Sequence, residues 1–253
     1  MYVKNMKAII LSAGQGRRLL PLTKDIPKCM LPVQGYPMLE WQISSLLRKG
    51  IQDITVVVGF QASCVEDHLR KTFDSSKVTT RYNPFYAVSD NLASCWIARC
   101  DMDEDFILLN GDTLFEDNIL ERVLSCETHP LLVTIDKKGC YDADDMKVVD
   151  ENGLLIQVGK NIPLDLVTGE SIGLHVFRNQ GPLFFCQTVE RMIRYPEALG
   201  HWYLSVIDNL SGSVPVGVCS IEGMQWLEVD YPEDLERADR ELVFYQAQQI
   251  DPI

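Results

Sequence analysis

The chain has 253 residues, 46% of them hydrophobic, with 23 Lys+Arg against 36 Asp+Glu and a formal net charge of -13. That length can bury one substantial α/β core, and that charge argues against nucleic acid or an acidic membrane surface as partner. Eight cysteines without a C-x-x-C pair read as small core residues, and no apolar run suggests a signal peptide or a membrane span, so the expected compartment is the reducing cytoplasm.

The residues before Met6 read as a short extension. Ala8 to Leu11 then form a buried strand that runs into Ser12-Ala13-Gly14-Gln15-Gly16. Two glycines leave successive backbone N–H groups free to turn toward an anion. Positive charge follows in Arg17, Arg18 and Lys28, punctuated by Pro21 and Pro27. The dinucleotide fingerprint is excluded, because Leu19 stands where its third glycine belongs and Pro21 arrives too soon for its helix. A Walker A loop is excluded by the lack of Gly-Lys-Ser/Thr at the required spacing.

From Ser12 to Val33 the chain reads S-A-G-x-G-x-R-L-x-P-L-T-x-x-x-P-K-x-M-L-P-V. This string resembles the signature of the nucleoside-diphosphate-sugar pyrophosphorylases, nucleotidyltransferases that join a nucleoside monophosphate to a phosphorylated small molecule. The resemblance implies a phosphate loop at Ser12, Ala13, Gly14 and Gly16, a triphosphate-binding Arg18, and Lys28 beside the reacting phosphates.

Next comes helical spacing at Leu39, Ile43, Leu46 and Leu47, with Pro37 at a first turn and Gly50 as a stop. Ile54 to Val58 is a second buried strand ending at Gly59, and Ser63-Cys64-Val65-Glu66 reads as a capping box opening a helix to about Thr72. Strand and helix in short alternation predict a parallel sheet covered on both faces. Ligands gather at the carboxyl ends of such strands, where the Gly14 loop and Gly59 both fall. Val78 to Tyr82 continues the sheet. Asp90 or Asn91 caps a helix whose apolar face includes Leu92, Trp96 and Ile97. The string N-P-x-Y-x-x-x-x-N-x-x-S from Asn83 also resembles a nucleotide-side segment of the family's cytidylyltransferase branch, which carries Asn91 and Ser94 over as nucleotide contacts.

Phe106 to Leu109 is a central strand leading to Asn110-Gly111-Asp112. By itself Asp112 is either a turn residue or a metal ligand; the family resemblance makes it a ligand of the catalytic divalent ion. A helix over 117–126 and a strand over 131–136 follow, and then alternation lapses. Strand-like runs at Met146–Val149, Leu154–Gly159 and Ser171–Phe177 predict a small antiparallel insert, about residues 137–177. Its strings M-K-V-V-D-x-x-G-x-x-x-x-V-G-K and G-E-S-I-G resemble the acceptor-binding portion of the cytidylyltransferase branch. That implies Lys160 at the acceptor phosphate and Glu170 and Gly173 near the acceptor. Helices are predicted over 182–192 and 202–210, and the resemblance sets Trp202, Tyr203 and Asp208 beside the acceptor, although core packing accounts for the two aromatics as well. Last, Trp226-Leu227-Glu228-Val229-Asp230 is a short strand before a helix opened by Pro232, with Glu233 and Asp234 in its first turn. Its acidity reads as capping, whereas the family pattern makes Asp230 the second carboxylate of the metal.

The expectation is thus one α/β domain over residues 1–253, with a Rossmann-like, mixed but mostly parallel sheet flanked by helices and an antiparallel insert on the acceptor side. The implied activity is Mg²⁺-dependent transfer from an NTP, with CTP expected, to a phosphorylated acceptor such as phosphocholine or another phospho-amine. A sugar-1-phosphate or inositol-phosphate enzyme is the rival reading, and a non-catalytic nucleotide-sensing subunit a third. The sequence is compatible with a homo-oligomer.

Overall fold

In the computed structural model, which describes residues 6–126 and 129–241, the first strand spans Lys7–Ser12 (β1). The extension read before Met6 lies outside the described residues. A two-stranded ribbon follows, β2 (Pro32–Val33) and β3 (Tyr36–Pro37), then α1 (Met38–Arg48), β4 (Asp53–Val58), α2 (Ala62–Thr72), β5 (Val78–Tyr82), α3 (Asn91–Ala98) and β6 (Phe106–Asn110). The rest comprises β7 (Thr113–Phe115), α4 (Asp117–Ser125), β8 (Leu131–Asp136), β9 (Lys147–Glu151), β10 (Leu154–Gly159), β11 (Gly169–Phe177), α5 (Gly181–Met192), α6 (Leu204–Ser211), β12 (Val216–Ser220), β13 (Trp226–Glu228) and α7 (Pro232–Glu241). No helix among the described residues is long and apolar enough to cross a membrane.

Among the described residues, nine strands form one sheet in the order β5-β4-β1-β6-β11-β8-β12-β10-β9. The β5-β4-β1-β6 half is parallel throughout. Alternate side chains of β1 enter opposite cores, Ala8 and Ile10 one and Ile9 the other. A strand apolar on both faces must be covered on both, which the helices accomplish. Leu39 and Ile43 of α1, Leu69 of α2 and Ile119 of α4 close one core. Leu92 of α3, Phe185 of α5 and Ile207 of α6 close the other, where Phe106 and Phe177 stack with ring centroids 4.4 Å apart.

Three sequence expectations shift. The antiparallel stretch is present, but not as a separate layer: β11 lies in the middle of the sheet, antiparallel to β6 and β8, while β9 and β10 extend its edge. Ser63 does not cap α2; the helix starts after Gln61, held at φ 48 without a side-chain cap, so Ser63 is already in the first turn. The cysteines are free, and Cys100 and Cys140 are exposed rather than in the core.

A third apolar cluster bears on the site. It gathers Leu19, Leu31 and Val33 from the glycine-loop region, Trp41 from α1, Leu114 from β7, Leu227 and Val229 from the β13 segment, and Ala238 from α7. The glycine-loop region and the segment from Leu227 to Ala238 are thereby packed against one another.

His175 sits in the middle of β11, fully buried, with its Nε2 3.3 Å from Ser171 Oγ and its Nδ1 without a partner. Burial pushes its imidazole down to about 3 from an ordinary 6.5. Below the ordinary value the unfolded chain binds a proton that the folded protein refuses. Stability from this group is therefore complete above about pH 6.5 and lost as the pH falls toward about 3, by about 1.4 kcal/mol per unit. His175→Gln is expected to flatten this loss, seen as a urea midpoint whose difference from the native chain moves in the variant's favour between pH 7 and pH 5.

Candidate active site

The carboxyl ends of β1 and β6 meet because Gly111 lies hard against β1: a Cβ there would come within 2.3 Å of Ser12 Oγ and 2.7 Å of the Leu11 carbonyl. This brings Asp112 beside the loop that leaves β1. Across from it, Leu227 and Val229 point into the third core while Glu228 and Asp230 face the cleft, an alternation of period two continued past the end of β13. The backbone N–H of Val229 donates to the Asp112 carbonyl at 3.1 Å, locking the two acidic segments together. Asp234 in the first turn of α7 accepts from the N–H groups of Asp230 and Tyr231.

Lys28 joins the halves. Its ammonium donates to Asp112 Oδ2 and Asp230 Oδ1, each at 2.6 Å. Burial alone would lower the pKa of this ammonium, but Asp112 and Asp230 outweigh it and raise it above the ordinary lysine value. Arg18 Nη2 donates to Asp230 Oδ2 at 2.7 Å, and Arg18 Nη1 lies 3.3 Å from Asp144 Oδ2. Asp144 also accepts from the Tyr231 hydroxyl at 3.1 Å and lies 3.6 Å from Lys160 Nζ. The Tyr231 bond, then the Lys160 charge, hold the Asp144 carboxyl below the usual range.

One cleft of about 410 Å³ unites these groups. Of the residues singled out in the sequence, Ser12, Ala13, Gly14, Gly16, Arg18, Lys28, Asn91, Ser94, Asp112, Lys160, Gly173, Trp202, Tyr203 and Asp230 all line it. Asn91 accepts from the Tyr203 N–H at 2.8 Å, and buried Ser94 accepts from Asn83 at 3.1 Å. Lys160 Nζ lies 4.7 Å from the centroid of the Trp202 ring. Trp202 and Tyr203 precede α6 rather than open it.

Gly59, Glu170 and Asp208 do not line the cleft. Gly59 supports it from behind, since a Cβ there would lie 2.5 Å from both the Ala13 carbonyl and Tyr86 Cβ. Glu170 is turned to Lys138, 2.7 Å away, and burial pushes its carboxyl up to about 7 against the pull of that lysine. Asp208 accepts from the Val158 N–H at 2.8 Å, tying α6 to β10. Neither the Glu170 nor the Asp208 carboxylate faces this cleft.

The structure adds residues that the sequence reading passed over. Glu228 offers a third carboxylate, with one ligand oxygen from each of Asp112, Glu228 and Asp230 lying within 4.8 Å of the others. Desolvation, and then the Asp112 and Asp230 charges, push its carboxyl above the usual carboxylate range. Asp90, half-buried, lines the cleft with its carboxyl raised by burial. The cluster suits a hard divalent cation: its donors are all oxygen, and Asp112 Oδ1 is buried with no protein partner.

Gly16 has φ +74, and a Cβ there would sit 2.8 Å from Lys28 Cβ. Gly16→Ala is expected to cost about 1–3 kcal/mol of stability and to displace Lys28. A lowered urea midpoint together with turnover reduced about tenfold or more is the expected pair of readings.

The sequence profile of the family described as Nucleotidyl transferase matches residues 7–141. The CTP:phosphoglutamine cytidylyltransferase of Campylobacter jejuni is 27% identical over 259 residues, covering 91% of this chain and 98% of that relative. The CMP-5'-(3-aminopropyl)phosphonate synthase of Streptomyces rubellomurinus is 29% identical over 249 residues, covering 92% of this chain but 38% of the relative, so this chain spans well under half of that longer protein. Among solved structures, the CTP:phosphocholine cytidylyltransferase from Streptococcus pneumoniae superposes with a TM-score of 0.78 at 20% identity, covering 94% of this chain and 99% of the other. The inositol-1-phosphate CTP transferase from T. maritima gives 0.76 at 19% identity, covering 93% and 96%. At those identities the two structures speak for the fold, a mixed α/β sheet flanked by helices.

Proposed function

The chain belongs to the nucleotidyl transferase family, and on that premise we propose that it transfers CMP from CTP to a phosphorylated amine, releasing pyrophosphate. The observation that carries the reading is the Lys28 bridge, which sets the Asp112 and Asp230 carboxylates directly against the glycine loop in one cleft. CTP as donor is supported by the CTP-using relatives, and an amine on the acceptor by the phosphoglutamine and aminopropylphosphonate named for two of them. Within the cleft, Asp90 offers a carboxylate and Trp202 an aromatic face that is freed once Lys160, now over that ring, turns to the acceptor phosphate, a pairing that attracts a desolvated cationic group by up to about 2 kcal/mol. Asp90 thus replaces Asp208 as the anionic partner in this reading. An inositol- or sugar-phosphate acceptor is the second reading, supported by a UTP--glucose-1-phosphate uridylyltransferase relative in Haloferax volcanii that is 28% identical over 253 residues.

Asp112 and Asp230, with Glu228 beside them, would hold a divalent cation, Mg²⁺ in this proposal. Bound there, it would supply charge screening for the triphosphate oxygens. The Gly14 and Gly16 N–H groups and Arg18 would hold the β- and γ-phosphates, whose negative charge grows as pyrophosphate leaves. Lys160 would bind the acceptor's phosphate. A phosphomonoester with a second pKa of about 6 is largely a dianion at neutral pH, so one of its oxygens attacks the α-phosphorus directly. The new P–O–P bond forms as the bond to the β-phosphate oxygen breaks, and no general base is required. Catalysis then consists of alignment and electrostatics.

Asp112→Asn and Asp230→Asn are each expected to lower turnover about 10²–10³-fold while circular dichroism stays native. Pyrophosphate release, screened with CTP, UTP, GTP and dTTP against phosphocholine, aminoethylphosphonate, inositol phosphate and glucose-1-phosphate, is expected to be fastest with CTP and a phospho-amine. Fastest release with a sugar or inositol phosphate would replace the amine reading by the second one.

A further inference from the structure

The position of Lys28 carries a consequence for how a metal reaches the site. Its ammonium stands 2.6 Å from Asp112 Oδ2 and 2.6 Å from Asp230 Oδ1, and its side chain is only 13% exposed. Its stem packs directly against Gly16, where an added Cβ would lie 2.8 Å from Lys28 Cβ, so the ammonium stands beside the glycine loop. A divalent cation held by the two carboxylates would lie about 2.1 Å from an oxygen of each, and even through Asp112 Oδ1, which has no protein partner, it would stand beside the ammonium. Two cations repel strongly when they share one pair of carboxylates at such range. For the metal to bind, the Lys28 ammonium must leave both aspartates, and in a site this enclosed it needs a new anion at once. A triphosphate supplies one.

We propose that Lys28 excludes the bare divalent cation from Asp112 and Asp230, so that the metal is accepted as its polyphosphate complex and not alone. The proposal rests on reading Asp112 and Asp230 as the metal ligands. Lys28 is on this view a specificity determinant for the form in which the metal arrives, in addition to any contact it makes with the reacting phosphates. Metal and nucleotide would each strengthen the other's binding, because binding free energies couple reciprocally. The arrangement also protects the enzyme from a metal that fills the carboxylates without a substrate.

The test titrates the full chain with Mn²⁺ alone, reading free Mn²⁺ by electron paramagnetic resonance, without nucleotide or acceptor. Lys28→Met, which removes the charge, is expected to bind Mn²⁺ at least about tenfold tighter than the native chain, a change of about 1.4 kcal/mol. Lys28→Arg, which keeps a cation between the carboxylates, is expected to bind as weakly as the native chain. Lys28→Gln serves in place of Lys28→Met if circular dichroism shows that the methionine variant does not fold. Equal or weaker Mn²⁺ binding by the uncharged variant overturns the proposal. Adding Asp112→Asn to that variant separates the two readings: lost Mn²⁺ binding upholds the ligand assignment, whereas retained tight binding shows that the metal reading itself is wrong.

Discussion

The ammonium of Lys28 between Asp112 and Asp230 is the contact on which the rest of the cleft depends. It spans three segments far apart in sequence: the glycine-loop region, the turn after β6 and the segment after β13. Attraction at this range is worth several kcal/mol per pair in a partly enclosed setting, but taking the charges out of water offsets much of it. Its effect is therefore less on net stability than on geometry. With the ammonium in place, the two carboxylates cannot separate, and the loop cannot drift from β6. Arg18, Asp144 and Lys160 continue the pattern outward, alternating in sign from the floor of the cleft to its rim.

That alternation of charge is held by an apolar layer beneath it. Leu19, fully buried in the turn after the loop, and Leu227 and Val229 beside the acidic residues belong to one cluster. A single residue step along the chain separates a core side chain from a cleft carboxylate. Strand periodicity thus presents Glu228 and Asp230 on one face because Leu227 and Val229 are committed to the other. This was open to sequence reading. The acidic run reads both as capping of α7 and, by the family pattern, as the place of a metal carboxylate at Asp230; Asp234 does accept from the N–H groups of Asp230 and Tyr231. Yet the two-residue spacing of Glu228 and Asp230 carried the stronger message.

Most of the parallel half of the sheet was legible because β1, β4 and β6 are apolar on both faces and followed by glycines, whereas Asp112, open by itself between turn residue and ligand, was singled out by the family resemblance. What stayed hidden depended on tertiary neighbours. Asp208 and Glu170 were placed near the acceptor by their segments, but a segment does not specify which way its side chains turn. Val158 and Lys138 take those carboxylates instead. Asp144 lies between strands in an irregular stretch, where neither period applies. The place of β11 was equally hidden, since a hairpin-like run at the edge and a strand inserted between β6 and β8 have the same local pattern.

The order in which the residues meet has a bearing on synthesis. A chain leaving the ribosome can pair β5, β4, β1 and β6 once residue 110 is free, because all four strands lie in its first half. At that stage Lys28 has Asp112 within a few residues of emerging, whereas Asp230 is still more than a hundred residues away. Leu19, Leu31 and Trp41 likewise wait for Leu227, Val229 and Ala238 before their apolar surface is covered. The nascent protein therefore has a sheet before it has a cleft, and the segment carrying Leu227, Asp230 and Ala238 both seals the greasy flank of the glycine-loop region and supplies its missing charge.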